Sequence, residues 1–473
     1  MTIKSEFINR QKEVGYFENE YKKSDFRFIS IIGRRRLGKT RFISEFLKDK
    51  TNFSYILVPE LNDLNARVEI AKKFHQQFGL TFLGTPEWDD IFEQLFQYTQ
   101  NNQIIVVFDE FQRFLNINKN IFSIIQKNID QYGQTSKMFL VVSGSSIGMM
   151  HGIFDHASPL YGRRTGQLEF ESFDFFALNE WFPDLSIESK INIYSIYGGT
   201  PKYLEEVESS NILQEITRIL DKTSMLYNEP EILLKTEISD SNTYFNILKN
   251  ISQGVTKPTG IANNSGIKPT SLDYYLNTLV NDLDLVKREI PVTEKQKSKK
   301  VVYQMKDNFF RFWFRFVYPY LSEIEIGNTS TVVDRIQSEL NTFVGNTFEE
   351  ITKQFLIEKN KKGDLGFTFG KIGKQWGRYQ KSKGKNTYEI DLAALNENTN
   401  EILFCECKWQ NQKIDVGILK SLIDKSKFVD WHKNKRIEYF AVVSKSGFTE
   451  NALEFARENN FMLFTLDDFE NIT

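Results

Sequence analysis

Cysteine is almost missing: the 473 residues include two, Cys405 and Cys407, two positions apart, which excludes a disulfide framework and any cysteine-based zinc site. Histidine is nearly as scarce, and the four present, His75, His151, His156 and His432, show no metal-ligand spacing. An excess of charge of one sign is also lacking. Against 60 basic side chains stand 62 acidic ones, so any contact with nucleic acid must rest on a local patch. No apolar run approaches the roughly 18 residues of a spanning helix, and the N-terminal residues lack the apolar stretch of a signal peptide. The expectation is a cytoplasmic chain without membrane contact. What is abundant is core material: 40% apolar and 14% aromatic residues, with 42 Phe, rule out disorder. At about 150 residues per domain, the length implies roughly three domains.

Phe26 to Ile32 reads as a buried strand, Gly33-Arg34-Arg35-Arg36-Leu37-Gly38-Lys39-Thr40 supplies the full GxxxxGK[ST] pattern, and Arg41 to Asp49 follows with helical periodicity. Such a loop aims backbone N–H groups and a helix N-terminus at phosphates, with Lys39 on the β and γ phosphates of ATP and Thr40 on Mg²⁺. Gly33, Gly38, Lys39, Thr40 and Arg41 are therefore nucleotide-binding candidates. Gln103 to Phe108 is an apolar run ending in Asp109-Glu110, the pattern of a buried parallel strand delivering acids to its C-terminal edge. Asp109 suits Mg²⁺ held through water, and Glu110 suits general-base work on the attacking water. A third strand, Met138 to Val142, leads into Ser143-Gly144-Ser145-Ser146, which places Ser145 as a γ-phosphate sensor between the two earlier strands. The turn Pro159 to Thr165 offers Arg163 and Arg164 to neutralise charge on the transferred phosphoryl group, in the same chain or in a neighbouring copy. A homo-oligomer is thus an expectation.

Together these motifs resemble the archaeal-type ATPases of the STAND branch of P-loop NTPases, relatives of the AAA+ enzymes. The resemblance extends to Phe7-Ile8-Asn9-Arg10-Gln11-Lys12-Glu13 and to Tyr197-Gly198-Gly199-Thr200-Pro201, segments that flank base and ribose in such proteins. It implies nucleotide contacts at Arg10 and Pro201, although Asn9 stands where glycine is usual.

Phe182 to Glu237 is charged and helical in period, as a lid over the nucleotide would be. Helices from Tyr244 to Ser252, Thr259 to Asn263 and Pro269 to Asp282, then a hairpin from Val286 to Tyr303, read as a winged helix. Its third helix would present Lys268, Thr270, Ser271 and Tyr274 to DNA, and its hairpin Lys287, Arg288, Lys295, Lys297, Lys299 and Lys300. The aromatic run from Asp307 to Pro319 is expected to fill a core between domains, rather than to stack on bases.

The remainder reads as a mixed α/β domain: a helix from about Leu340 to Asn360, strands near Gly366 to Lys371, Thr387 to Leu395 and Glu401 to Trp409, a helix from Asp415 to Trp431, then strand, helix and strand to Leu466. Period-two alternation puts Glu406 and Lys408 on one face of a strand and the two cysteines on the other. Asp391, 14 residues and then Glu406-x-Lys408 resemble the PD-(D/E)xK nuclease signature, Glu349 matches the further acid on the preceding helix, and the segment looks like the DUF234-type C-terminal domain. That resemblance implies Asp391, Glu406 and Glu349 as ligands of Mg²⁺ or Mn²⁺, and Lys408 as activator of the attacking water. Glu350 is an alternative to Glu349, and Glu389 could assist Asp391. Lys371, Lys374, Arg378, Lys381, Lys383 and Lys385, with Trp376 and Tyr379, suit a DNA backbone.

The fold expected is therefore α/β and multidomain: a P-loop NTPase parallel sheet (1–180), a helical lid (181–240), a winged helix (241–306), an aromatic connector (307–335) and a restriction-endonuclease-like domain (336–473). The function expected is ATP hydrolysis coupled to DNA binding and metal-dependent cleavage. The alternative is a regulatory ATP-driven switch that binds DNA or protein, with a catalytically silent nuclease-like domain.

Overall fold

The computed structural model describes residues 8–238, 240–379, 387–470 and 472. Among these, two five-stranded sheets and one two-stranded ribbon carry the fold. The first sheet contains β1 (Arg27–Ile32), β2 (Phe53–Leu57), β3 (Ile104–Asp109), β4 (Met138–Gly144) and β5 (Gly166–Glu169) in the order β2-β3-β4-β1-β5. Every neighbouring pair is parallel. β3 and β4 are buried at each position, which is why their sequences are apolar without alternation. Phe17, Phe42 and Phe46 pack on one face, and Phe74, Phe92 and Phe96 on the other. β4 lies between β3 and β1, as expected from the sequence. The helix after the loop begins at Lys39 rather than Arg41 because Gly38, at φ 83°, already makes the left-handed turn into it.

Helices Ser241–Ser252, Pro258–Ser265 and Pro269–Asn277 then lead into an antiparallel ribbon of β6 (Val286–Glu289) and β7 (Val302–Met305). The aromatic run is interior: Phe309, Phe310, Phe312, Trp313, Phe314 and Phe316 are all buried, and Trp313 Nε1 donates to the Tyr227 carbonyl at 2.7 Å. A helical segment apolar on every side must be enclosed on every side. The core that encloses it draws on residues from Phe173 to Ile472 and includes one face of the second sheet.

That sheet contains β8 (Lys371–Arg378), β9 (Thr387–Asn396), β10 (Glu401–Lys408), β11 (Ile437–Ser444) and β12 (Phe461–Phe464), ordered β12-β11-β10-β9-β8. β8, β9 and β10 pair antiparallel, whereas β10, β11 and β12 pair parallel. Three boundaries differ from expectation. The strand expected at 366–371 lies at 371–378, so that Lys371, Lys374, Trp376 and Arg378 belong to a ladder, not a free basic loop; Gly366, at φ 73°, breaks the extended backbone before it. The helix expected from 340 runs Thr329–Lys362 on a stripe of Val332, Ile336, Phe343, Ile351 and Phe355, and a boundary at 335/336 therefore falls inside it. The helix expected to reach Trp431 stops at Ser426, where the Arg436 guanidinium donates to the carbonyls of Ser426, Val429 and Trp431 and satisfies the helix end. Among the described residues no helix is long and apolar enough to cross a membrane.

Candidate functional site

β1 ends at Ile32, and the chain turns through Gly33 to Gly38 before the helix Lys39–Leu47. A Cβ on Gly33 would lie 2.5 Å from the Phe170 carbonyl oxygen, so only glycine fits there. Lys39 Nζ donates to the carbonyls of Gly33 and, at 2.8 Å, Arg34. Burial pushes its ammonium down to about 8, because nearby Glu110 and Asp109 only partly replace the lost water. Thr40 Oγ1 donates to Asp109 Oδ2 at 3.0 Å, and the Tyr55 hydroxyl donates to the same oxygen at 2.5 Å. Glu110 takes φ 56°, and its Oε2 accepts from Ser145 Oγ at 2.8 Å and from Gln112 Nε2 at 2.5 Å. The ends of β1, β3 and β4 thus bring Lys39, Thr40, Asp109, Glu110 and Ser145 to one sheet edge. The Thr40 hydroxyl and the Asp109 carboxylate are oxygen donors suited to Mg²⁺.

Beside this edge, Arg10, Gly38, Arg41 and Pro201 line a recess with Ile8, Leu37, Phe173 and Trp181. The Arg10 guanidinium lies 4.4 Å from the Phe170 ring centroid and pairs with Glu13 at 3.0 Å; Arg41 pairs with Glu205 at 2.8 Å. Phe7, in the motif around Arg10, lies outside the described residues. Arg163 and Arg164 are not brought to the loop of their own chain. Arg163 grips both oxygens of Asp130, at 3.2 and 3.0 Å, while Arg164 donates to Ser30 Oγ at 2.9 Å and covers the Phe154 ring at 4.2 Å. Their turn joins β1 at Phe28, near the strand's start, whereas the loop leaves from its end.

The second cluster sits on β9 and β10. Lys408 Nζ lies 2.6 Å from Glu406 Oε2 and 3.2 Å from Asp391 Oδ2, which also accepts from the Cys407 N–H at 2.8 Å. Lys425, from the helix Val416–Ser426, donates to the other Glu406 oxygen at 2.6 Å. Burial, with Asp391 nearby, pushes the Glu406 carboxyl up. Glu349 pairs with Lys374 of β8; burial, aided by Asp391 and Glu389, pushes its carboxyl up to about 7. Glu350 pairs instead with Lys287 of β6, and that lysine with Lys353 outweighs burial and holds it down at about 2. Glu349 is thus the helix acid that senses Asp391. Cys405 and Cys407 are buried, as the strand period requires. Among the described residues no three acids, histidines or cysteines converge as a ready metal cage, because lysines stand between the carboxylates.

Residues 7–207 match a family of ATPase domains predominantly from Archaea, and residues 313–418 match DUF234, archaeal and bacterial proteins of unknown function. An uncharacterized protein of Methanocaldococcus jannaschii is 34% identical over 469 residues, which is 98% of this chain and 100% of its own. The chain belongs to the archaeal-type ATPases that carry a C-terminal DUF234 domain. A Walker-type ATPase of Pyrococcus abyssi, 18% identical, shares the fold over 66% of this chain and 99% of its own, with a TM-score of 0.51. The ORC2 protein of Aeropyrum pernix, 13% identical, covers 71% of this chain and 98% of its own, with a TM-score of 0.44.

Several residues of this archaeal-type ATPase site carry no motif. Gln112 and Tyr55 fix the two acids of β3, and of these only Gln112, two positions after Glu110, lies close enough in sequence to be suspected. The loop arginines read as bare charge, yet each meets an acid: Arg34 with Asp307 at 3.1 Å, Arg35 with Glu237 at 3.7 Å and Arg36 with Glu229 at 2.7 Å. Lys425 was hidden among the lysines of its helix. Of the DNA-contact candidates, Lys268, Thr270, Ser271 and Tyr274 are exposed at the start of the helix Pro269–Asn277. Lys295, Lys297 and Lys299 are exposed as well. Lys287 and Lys374, paired with Glu350 and Glu349, are largely enclosed, whereas Lys300 and Lys371 pair with Glu294 and Glu397 on the exposed surface. Lys381, Lys383 and Lys385 lie outside the described residues.

Proposed function

We propose that the chain binds and hydrolyses ATP at the Lys39 edge and uses the nucleotide state to control a DNA-processing C-terminal domain. The observation that carries the first half is the convergence of Lys39, Thr40, Asp109, Glu110 and Ser145 on the ends of three parallel strands. Lys39 and the loop N–H groups bind the phosphates, and Glu110, held by Ser145 and Gln112, accepts a proton from the attacking water. Thr40 and Asp109 would hold Mg²⁺, which supplies charge neutralisation on the phosphates. Arg10, Arg41 and Pro201 border the recess suited to the nucleoside. Arg163 and Arg164 take no part in their own chain's site, and a role in a neighbouring copy would require a homo-oligomer. Lys39→Ala should abolish nucleotide binding and turnover; unchanged turnover in that variant would refute the reading.

The middle of the chain, read as a lid over 181–240 and a winged helix over 241–306, supplies the coupling. Arg34 reaches the carbonyl of Asp284, just before β6, at 3.5 Å and the carboxylate of Asp307, just after β7; the ribbon's Lys287 reaches Glu350 beside Glu349. The residues that flank the ribbon therefore touch the phosphate loop, and the ribbon itself touches the neighbour of Glu349. For the C-terminal domain we favour a PD-(D/E)xK-type deoxyribonuclease, supported by Asp391, Glu406 and Lys408 sharing one face of neighbouring strands. Asp391 and Glu406, with Glu349, would hold Mg²⁺ or Mn²⁺, which supplies charge stabilisation at the scissile phosphate. Lys408 would orient the water. The lysines already paired with Glu406 favour a second reading, a silent domain that binds DNA or protein without cutting. Incubation of the full chain with single-stranded, duplex and branched DNA, Mn²⁺ and ATP separates the two. Cleavage lost in Asp391→Ala supports the nuclease, and no cleavage on any substrate supports the switch.

A further inference from the structure

We propose that Arg35, in the middle of the phosphate loop, is a further catalytic residue of the first site, one that holds a non-bridging oxygen of the γ phosphate. The proposal rests on the ATPase reading. Three arginines follow Gly33, and their guanidinium groups are held very differently. Arg34 donates to the Asp307 carboxylate at 3.1 Å and to the Asp284 carbonyl at 3.5 Å. Arg36 grips both oxygens of Glu229, at 2.7 and 3.2 Å. Arg35 meets Glu237 through Nε at 3.7 Å, too far for a hydrogen bond, and among the described residues its guanidinium donates none. Its side chain is 39% exposed and borders a cavity with Glu237, Leu234 and Leu285, so its two terminal nitrogens are open to a ligand.

The place of Arg35 in the loop gives those nitrogens their target. Lys39 Nζ lies 2.8 Å from the carbonyl oxygen of Arg34, and that carbonyl is bonded to the Arg35 nitrogen, so Arg35 leaves the backbone beside the ammonium that takes the β and γ phosphates. Arg35 and Glu237 are both near enough to act on the Lys39 charge, and Glu237 also feels Glu110. A γ phosphate between Lys39 and Glu110 therefore arrives beside an arginine with open donors and an acid that repels it. Arg163 and Arg164 do not serve it, being bound to Asp130 and Ser30 away from the loop. In the hydrolysis a water oxygen bonds to the γ phosphorus as the bond to the β–γ bridging oxygen breaks. The proton of the water passes to Glu110, and the bridging oxygen leaves on ADP with the bonding pair. Arg35 stabilises the negative charge spread over the γ oxygens during that exchange, work suited to a planar fork of N–H donors. Glu237, at the end of the helix Glu229–Glu237, is the competitor: it holds Arg35 loosely until ATP enters and then yields it.

Arg35→Met and Glu237→Gln cut the same ion pair, yet the role gives them opposite signs. In the full chain, Arg35→Met should slow single-turnover ATP hydrolysis about 100-fold and weaken binding of the β,γ-imido analogue of ATP about 5-fold, while ADP binds as in wild type. Glu237→Gln should instead tighten the analogue about 3-fold, again without effect on ADP. Arg35→Lys, which keeps the charge but not the fork, should recover part of the hydrolysis rate. Hydrolysis is read by rapid quench on labelled ATP, and both affinities by titration calorimetry. If Arg35 only anchors the helix Glu229–Glu237, the Met and Gln variants lose one and the same contact and shift analogue affinity in the same direction, which overturns the proposal. So does an Arg35→Met variant that hydrolyses ATP at the wild-type rate, or one that loses ADP as fully as the analogue. A wild-type chain that binds ATP yet never hydrolyses it overturns the ATPase reading instead, and the two failures are told apart by the wild type alone.

Discussion

The two sites use the same three side-chain types, lysine, aspartate and glutamate, but they handle charge in opposite ways. At the phosphate loop the ammonium of Lys39 rests on backbone carbonyls, and the acids accept from neutral donors: Asp109 from Thr40 and Tyr55, Glu110 from Ser145 and Gln112. No direct lysine–carboxylate contact needs breaking there before a nucleotide enters. In the C-terminal cluster, Lys408, Lys425 and Lys374 sit directly on Glu406, Asp391 and Glu349. A ligand must displace a salt bridge before it can bind. The first site is organised for its ligand in advance, and the second is closed by internal ion pairs that any metal ion bound there would have to displace, at a cost to its affinity.

The strongest way to break this comparison is to delete the defining group at each edge. Lys39→Ala should lower ATP turnover at least about 100-fold, since a charged group aimed at the transferring phosphate is worth several kcal/mol. Asp391→Ala should leave that turnover unchanged while abolishing metal-dependent cleavage. A coupled-enzyme assay for ADP release and a DNA gel on the same two preparations check both. If Asp391→Ala also lowered turnover strongly, the two edges would not be separable sites.

Why one site was readable and the other only partly so follows from how each is assembled. Gly33 to Thr40 is contiguous because a turn, an N–H cradle and a helix start occupy eight successive residues, and β3 carries its acids at its own end. The order β2-β3-β4-β1 then made Ser145 legible, since parallel strands deliver their C-termini to one edge. The C-terminal cluster draws on a long helix, three strands and a second helix. Period-two alternation gave Glu406 and Lys408, but the choice of Glu349 over Glu350 depends on how that helix is rolled against β8 and β6. Arg163 and Arg164 looked suitable by charge alone; that turn's place at the start of β1 was set by β5 pairing, which a run of basic residues does not reveal.

A smaller effect sharpens the contrast within the first site. Ser145→Ala together with Gln112→Ala removes both donors to Glu110 and should reduce ATP turnover about 10-fold with little change in ATP affinity, because the pair orients a base rather than binding phosphate. An equal loss of affinity, measured by nucleotide titration, would place Ser145 on the phosphate instead. Smaller still, Asp307→Asn should shift ATP's effect on cleavage about 3-fold while leaving Mn²⁺-dependent cleavage without nucleotide intact. It weakens the Arg34 contact at the ribbon's base without touching either cluster. Cleavage rates with and without ATP, compared between this variant and wild type, check that.

The finest test is of proton traffic, where the two sites should have opposite signs. Lys39 titrates near 8 against an ordinary 10.5, because burial disfavours its charge. Between these values the unfolded chain holds a proton that the folded chain has lost. Stability from this group therefore rises with pH from about 8 to about 10.5, by up to about 3 kcal/mol, and the penalty is fully present below 8. ATP phosphates supply the missing countercharge, so binding near pH 9 should take up close to one proton. Glu349 titrates near 7 against an ordinary 4.5, as burial and then Asp391 and Glu389 disfavour its charge. Here the folded chain holds the extra proton, stability falls as pH rises from about 4.5 to about 7, and a cation bound at pH 6 should expel close to one proton. Calorimetry in buffers of different ionisation enthalpy measures both. Lys39→Met should erase the uptake and Glu349→Gln the release. Metal binding without release at pH 6 would remove Glu349 from the ligand set, while leaving Asp391 and Glu406 to be tested on their own.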